Sequence, residues 1–320
     1  MSNNNHNPSK PYSVTVIIPS YNSHKTIGWT FKGIKAQTKY DLIKEIIVVD
    51  SSDDGITPDF LKSNEDDILK VTRSGSRVMP AIQRNIGARS ATGDLLCFVD
   101  SDAFPAPNWI ELIIEEYNKG YLAGGGSYRV PESQQDKPIA FAQYFLEFSQ
   151  FIGYGKRRHQ IMIPSCNLFC DRILFNKVGG FPIIRAAEDG FFGQKLNQYV
   201  NMLYIPEAVV YHIFRENKDH VLTNLRLLGK YAYYYRRENY SHVIYKGILA
   251  YLFVPAFLGF RVTRIFVRVL RTNRNYVANF IKATPMIIHG TMMWGKGFME
   301  GMRDYNKEKK VSQEEKVPVG

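Results

Sequence analysis

Residues 95–102 read Leu-Leu-Cys-Phe-Val-Asp-Ser-Asp. A short apolar run ends in two carboxylates, Asp100 and Asp102, with one small residue between them. An apolar run stopped by a polar turn is the pattern of a buried strand. In open α/β sheets, ligands bind just beyond the carboxyl ends of such strands. Two carboxylates held there repel each other and lose hydration. A divalent cation relieves both costs, and a cation-bound diphosphate would use it. The run therefore points to an enzyme acting on a nucleotide-activated donor.

Outward from this point the strand-then-acid pattern recurs. Residues 14–18 predict a strand ending at Pro19-Ser20-Tyr21-Asn22, and Ile27, Phe31 and Ile34 place a helix over 24–38. Residues 45–50 predict a second strand that ends in Asp50, followed by a polar loop over 51–55. A third strand is expected at 68–72. A helix is expected at 78–91, with Pro80 near its start and Gly93 just past its end. This alternation is an α/β nucleotide-binding layout with a mainly parallel sheet, in which Asp50 and Asp100 share one edge. Further helices are expected at 108–118, 137–151, 188–199 and 217–238, and a basic glycine-containing loop at 152–163. Residues 202–212 read as a strand, a turn at Pro206 and a strand. Gly124-Gly125-Gly126 suggests close backbone approach.

The motifs together say more than any one of them. VTVIIPSYN (14–22), EIIVVDSSDDGIT (45–57), AIQRNIGARSATGDLLCFVDSD (81–102), NLF (167–169) and EDGFF (188–192) occur in this order and at these intervals. The series resembles the family 2 glycosyltransferases with the GT-A fold, over roughly residues 12–240. The resemblance implies that Pro19, Tyr21 and Asp50 hold the nucleotide base and ribose. Tyr21 would stack on a uracil, and Asp53 and Asp54 could share the role of Asp50. It implies donor contacts from Arg84, facing the diphosphate, and from Asp100 and Ser101. Asp102 would ligate Mg²⁺ or Mn²⁺, with Asp100 and His212 as further contacts. The Glu188-Asp189 pair matches the motif whose aspartate is the catalytic base. First-turn acids also complement a helix dipole, so spacing alone leaves both readings open. The resemblance implies inversion at the anomeric carbon. The processive Gln-x-x-Arg-Trp motif is absent from the matching region, NLRLLGKYAYYYRRE (224–238), which implies transfer of a single sugar.

Charge divides the chain. Residues 1–220 hold 24 Lys/Arg against 24 Asp/Glu, whereas residues 221–320 hold 17 against 6, so the whole excess of +11 lies in the last hundred residues. Arg261, Arg264, Arg268 and Arg271 fall within a stripe of about 80° on a helix. The neighbouring apolar stretches, 247–260 and 276–299, are too short or too interrupted to span a bilayer. Cations set among apolar residues suit an anionic lipid surface better than a nucleic-acid backbone. The expected organisation is a disordered lead-in at 1–11, a GT-A domain at 12–240, a membrane-associating helical region at 241–302 and a charged, disordered tail at 303–320. Three cysteines without a zinc or disulfide framework suit a reducing compartment. A near-match to a phosphate-binding loop, GTMMWGK (290–296), follows no strand and lacks the final Ser/Thr.

The expected function is transfer of one sugar from a nucleotide-sugar donor, a UDP-sugar by the Tyr21 reading. The acceptor would be a hydroxyl on a lipid-linked or saccharide molecule. The expected location is the cytoplasmic membrane face, in glycolipid, polysaccharide or envelope synthesis. The alternatives are transfer to a polyprenyl phosphate, or a membrane-bound nucleotide-sugar binder without turnover.

Overall fold

The computed structural model describes the backbone of residues 12–153, 155–240, 247–272 and 274–314. The expected lead-in at 1–11 and the last six residues of the expected tail lie outside the described residues. In chain order the first elements are β1 (Val14–Ser20), α1 (Ile27–Lys35), β2 (Ile43–Asp50), α2 (Ile56–Lys62), β3 (Leu69–Arg73), α3 (Pro80–Ser90) and β4 (Leu95–Phe98). Then come β5 (Ala103–Pro105), α4 (Trp109–Asn118), β6 (Ala123–Arg129), α5 (Pro138–Phe148), β7 (Arg158–Gln160), β8 (Leu168–Asp171) and α6 (Arg172–Lys177). The last are α7 (Glu188–Leu196), β9 (Met202–His212), α8 (Lys218–Asn239), α9 (Gly247–Thr272) and α10 (Asn275–Glu314). The chain forms two compact units. The first comprises residues 1–128, 153–184 and 188–212, and the second residues 129–152, 185–187 and 213–320.

The first unit is built on one sheet of order β3-β2-β1-β4-β8-β6-β9-β5, with β7 also paired to β9. The strands β3, β2, β1 and β4 run parallel. They are the strands that the apolar runs predicted. The others pair antiparallel and are mostly three or four residues long, too short to carry a readable period. Every residue of β1 and of β4 is buried. Helix α3 begins with Pro80, whose missing N–H costs nothing at a helix start. It packs so closely on β1 that a Cβ at Gly87 would lie 2.6 Å from Ile17 Cγ2.

Three features depart from the sequence reading, the first being that the expected loop at 152–163 contains β7. Residues 202–212 form one continuous strand. Its first three residues pair with β7 and its last three with β5, so Pro206 falls between the two pairings, where these ladders ask nothing of its nitrogen. The expected tail is helical as far as Glu314, as part of α10. The same helix contains Gly290–Lys296, which excludes a phosphate-binding loop there.

The glycine run lies in β6 and permits the expected close approach. A Cβ at Gly125 would stand 1.9 Å from the Asn167 carbonyl oxygen, and one at Gly126 1.7 Å from that of Ala208. Backbone cannot yield cheaply, so Gly126→Ala is expected to cost about 3 kcal/mol of stability. A urea midpoint equal to that of the parent would show that β6 and β9 lie further apart.

The second unit is helical. No described helix is long and apolar enough to cross a membrane. Helices α9 and α10 leave Phe260, Leu270, Ile281, Ile288 and Met292 exposed. The stripe of four arginines on α9 does not face outward as a whole. Arg261 donates from Nη2 to the Leu146 carbonyl at 2.6 Å, and Arg268 from Nη1 to Ser149 Oγ at 3.2 Å. Arg264 and Arg271 remain exposed. The end of α5 offers backbone carbonyls that lack partners in the helix, and two of the four cations meet it.

Candidate active site

The carboxyl ends of β1, β2 and β4 meet at one edge. Parallel pairing sets Ser20 beside Asp50 and Ile17 beside Phe98, so Asp50 and the acids after β4 open onto the same side. Gln83 of α3 ties the edge together, donating from Nε2 to the carbonyls of Ser20 and Val49 at 2.7 and 2.8 Å. Pro19 is tolerated near the end of β1 because pairing with β4 stops at Ile17.

Asp50 is fully buried. Its Oδ1 accepts from Ser20 Oγ at 2.9 Å and from Ser52 Oγ at 2.5 Å. Its Oδ2 has no hydrogen-bond partner, and Arg73 Nε stands 3.7 Å away. Tyr21 donates its hydroxyl to Asp53 at 3.0 Å, and one face of its ring is covered by the Arg77 guanidinium, 4.3 Å from the centroid. Asp54 instead starts α2, accepting from the Thr57 N–H at 2.9 Å and pairing with His24.

Arg84 is buried and faces two carboxylates. Nη2 donates to Asp100 Oδ1 at 2.6 Å and Nη1 to Glu188 Oε1 at 3.2 Å. Burial alone would lower its pKa, but Asp100, Glu188 and Asp189 outweigh that and push it up. The sequence reading had Arg84 facing the diphosphate; in the structure both nitrogens of its fork are taken by acids. Asn85, the next residue, pins the turn before α7. It donates from Nδ2 to the Phe181 carbonyl at 2.8 Å and accepts the Phe181 N–H at 2.9 Å. That turn needs glycine at Gly179 and Gly180, with φ of 78° and 66°. Ala187, at φ 63°, then turns the chain into α7 and costs about 1–2 kcal/mol in doing so. Strain of this kind persists where the surroundings enforce it, and here it delivers Glu188 and Asp189.

Asp189 is half-buried, and its Oδ1 is shielded and without a hydrogen-bond partner. Burial, and then repulsion from Glu188, pushes its carboxyl up to about 7, while Arg84 and hydrogen bonds from Ser165 oppose the rise. A carboxylate titrating near neutrality is poised to take a proton.

Asp100, Ser101 and Asp102 form the turn from β4 into β5. The β5–β9 pairing sets Ala103 opposite His212, which brings Asp102 beside that histidine; Asp102 Oδ1 and His212 Nε2 stand 3.5 Å apart. Ligand atoms of Asp100, Cys166 and His212 all lie within 4.8 Å of one another. Burial, and then the Asp100 charge, pushes the Cys166 thiol well up, and sulfur is a soft donor that does not suit Mn²⁺ or Mg²⁺. Asp100 and His212 remain, with Asp102 beside the histidine, and carboxylates with an imidazole are donor types that fit Mn²⁺ or Mg²⁺.

The short turn at Ser165–Asn167 is the floor that sequence reasoning missed. Ser165 reaches Asp189, Cys166 reaches Asp100 and His212, and Asn167 holds the Trp109 indole at 2.8 Å. Only Asn167 stood in a motif.

The model of the family described as Glycosyl transferase family 2 matches residues 15–176, half of the chain. The chain is a family 2 glycosyltransferase. A relative in Haloferax volcanii, a glucosyl-dolichyl phosphate glucuronosyltransferase, is 26% identical over 243 residues, covering 73% of each chain. Among solved structures, this glycosyltransferase is similar to a mannosyltransferase from Pyrobaculum calidifontis in complex with GDP-Man and Mn²⁺. There the TM-score is 0.60 at 18% identity, over 91% of this chain and 88% of that one. It is also similar to GalNAc-T7 with UDP, GalNAc and Mn²⁺, with a TM-score of 0.50 at 16% identity, over 78% of this chain and 55% of that one. The fold of this glycosyltransferase is of the GT-A type, and its reaction class is glycosyl transfer.

Proposed function

We propose that this glycosyltransferase moves a single sugar, with inversion, from a UDP-sugar to a hydroxyl of a lipid-linked acceptor at the cytoplasmic face of a membrane. The observation that carries the reading is the run Asp100–Arg84–Glu188 beside Asp189, whose shielded Oδ1 lacks a hydrogen-bond partner and whose carboxyl is pushed up by burial and by Glu188. An alcohol must lose its proton as it attacks the anomeric carbon, and Asp189 is the group that takes it. One base suffices for a single in-line displacement, so no carboxylate need act as nucleophile. Glu188, paired with Arg84, raises the basicity of Asp189 through its charge.

Asp50 Oδ2, buried without a hydrogen-bond partner, is suited to accept an N–H from the base or a hydroxyl from the ribose. Tyr21 offers the ring face that Arg77 leaves open. Asp102, His212 and Asp100 would hold the divalent cation, which supplies charge neutralisation on the departing diphosphate when bound. The named acceptor chemistry of the Haloferax volcanii relative supports a lipid-linked acceptor. The exposed apolar residues of α9 and α10 beside exposed arginines support a peripheral seat on an anionic surface.

Thermal unfolding of the protein with a series of nucleotide sugars tests donor and cation together. A donor at about a hundredfold excess over its Kd should add about 2.7 kcal/mol. Most of that gain should vanish with EDTA and return with Mn²⁺. Indifference to every donor in both conditions would sink the reading.

A further inference from the structure

Tyr21 stands just past the end of β1, and the groups that fix its ring come from the loop after β2. Its hydroxyl donates to Asp53 Oδ2 at 3.0 Å. Asn22 Nδ2 donates to the other carboxylate oxygen, Oδ1, at 2.8 Å, and Asp53 returns its backbone N–H to Asn22 Oδ1 at 3.1 Å. The Asn22 N–H donates to Ser52 Oγ at 2.7 Å, and that hydroxyl donates in turn to Asp50. Asn22 makes these bonds from φ 49°, the left-handed region that asparagine enters more readily than most residues. The two loops are therefore tied together at Tyr21 through its hydroxyl and through the residue that follows it.

Asp53 was expected to share the work of Asp50, but the geometry separates the two acids. Asp50 keeps a buried oxygen without a hydrogen-bond partner, whereas each oxygen of Asp53 already accepts from the turn after β1. Hydrogen bonds from Asn22, and then from Tyr21, hold the Asp53 carboxyl below its usual range, so it is a charged acceptor. Desolvation, and then the bond to Asp53, pushes the Tyr21 phenol up, so it remains the donor. The Arg77 guanidinium, 4.3 Å from the ring centroid, covers one face. An aromatic side chain pinned at its hydroxyl and covered on one side loses little freedom when a flat ligand settles on it, and such preorganisation tightens binding.

We propose that Asn22 and Asp53 are positioning residues for the donor. They hold the Tyr21 ring in the orientation that receives the nucleobase, and Asp53 acts through the tyrosine hydroxyl without touching the nucleotide. This deepens the reading of Tyr21 as the base platform and rests on it.

Titration calorimetry of the full chain in Mn²⁺ with UDP and with GDP tests the assignment, the tighter nucleotide being carried through the variants. Tyr21→Phe keeps the ring and loses its anchor; it should weaken binding about fivefold, the cost of ordering one side chain on binding. Asp53→Ala should lose a similar factor, as should Asn22→Gly, which keeps the left-handed turn and drops both side-chain bonds. The double variant of Tyr21→Phe with Asp53→Ala should bind like either single one, since both remove the same link. Asp53→Asn should stay within about twofold of the parent, because an amide can accept from Asn22 and donate to the tyrosine oxygen. Tyr21→Ala should lose about thirtyfold, because the stacking face goes with the anchor.

Parent affinity in Tyr21→Phe overturns the proposal. So do losses that multiply in the double variant, or an Asp53→Asn variant as weak as Asp53→Ala, since either result puts the Asp53 charge on the nucleotide itself. Should Asp53→Ala fail to fold, Asn22→Gly combined with Tyr21→Phe supplies the same cycle. Parent affinity in Tyr21→Ala removes the base platform and this proposal with it, and a parent indifferent to both nucleotides removes the donor reading as well. Weakening in Tyr21→Ala without weakening in Tyr21→Phe leaves the platform standing and overturns only its positioning.

Discussion

Asp189→Asn should lower sugar transfer about 10³-fold while leaving donor binding intact. The amide keeps the shape and the hydrogen bonds from Ser165 but cannot take a proton. In the parent, transfer should fall tenfold per pH unit below about 7, as the raised carboxyl of Asp189 becomes protonated. The residual activity of the amide variant should lack that limb. Stability should move the other way. The folded pKa lies above the unfolded value, so folding favours the neutral acid. Below about pH 4 the group is neutral in both states and costs nothing. As pH rises through about 7 the folded protein must carry a disfavoured charge, and stability is lost. The amide variant is therefore expected to be more stable than the parent at pH 8, on the order of a few kcal/mol, with the gain fading toward pH 4. Retention of most transfer activity would redirect the assignment to a phosphate acceptor, which is already ionised and needs no base.

The sequence reveals the parts of this site whose physics is local. An apolar run that ends in an acid marks both the strand and its ligand edge, which is why Asp50, Asp100 and Asp102 could be placed before any fold was known. His212 could be singled out as the end of a strand, but its neighbour could not. Its approach to Asp102 depends on a three-residue antiparallel pairing across more than a hundred residues. Ser165 and Cys166 carry no pattern at all; they matter because a turn sets them under Asp100 and Asp189. The arginine stripe of α9 shows a different limit. Helical spacing reports that four cations share a face, but not whether that face meets water or the carbonyl end of another helix. Here Arg261 meets the Leu146 carbonyl and the Trp294 ring. Proline weakens ladders, so Pro206 predicts a turn; β9 instead places it between its pairings with β7 and β5.

The largest effect on the folded state is expected at Arg84. Its guanidinium holds Asp100 at 2.6 Å and Glu188 at 3.2 Å, and its field lowers the pKa of Asp189. Replacement by Met keeps much of the apolar stem but leaves these carboxylates without their shared cation. Breaking a buried pair in this way costs about 3–5 kcal/mol, because the remaining charges are still held away from water. With Arg84 gone, the acid limb of the pH–rate profile should also move above 7, since the group that held the Asp189 carboxyl down is lost. Arg84→Lys separates the two contributions. A lysine restores one positive charge and much of the stability, but a single ammonium cannot reproduce a fork that reaches two acids on different elements. The lysine variant should therefore fold, bind donor and transfer slowly, with its kcat reduced more than its KM. A methionine variant as stable as the parent, with the pH limb unmoved, would mean that Asp100 and Glu188 do not depend on this arginine, and that Asp189 is tuned by burial and Glu188 without it.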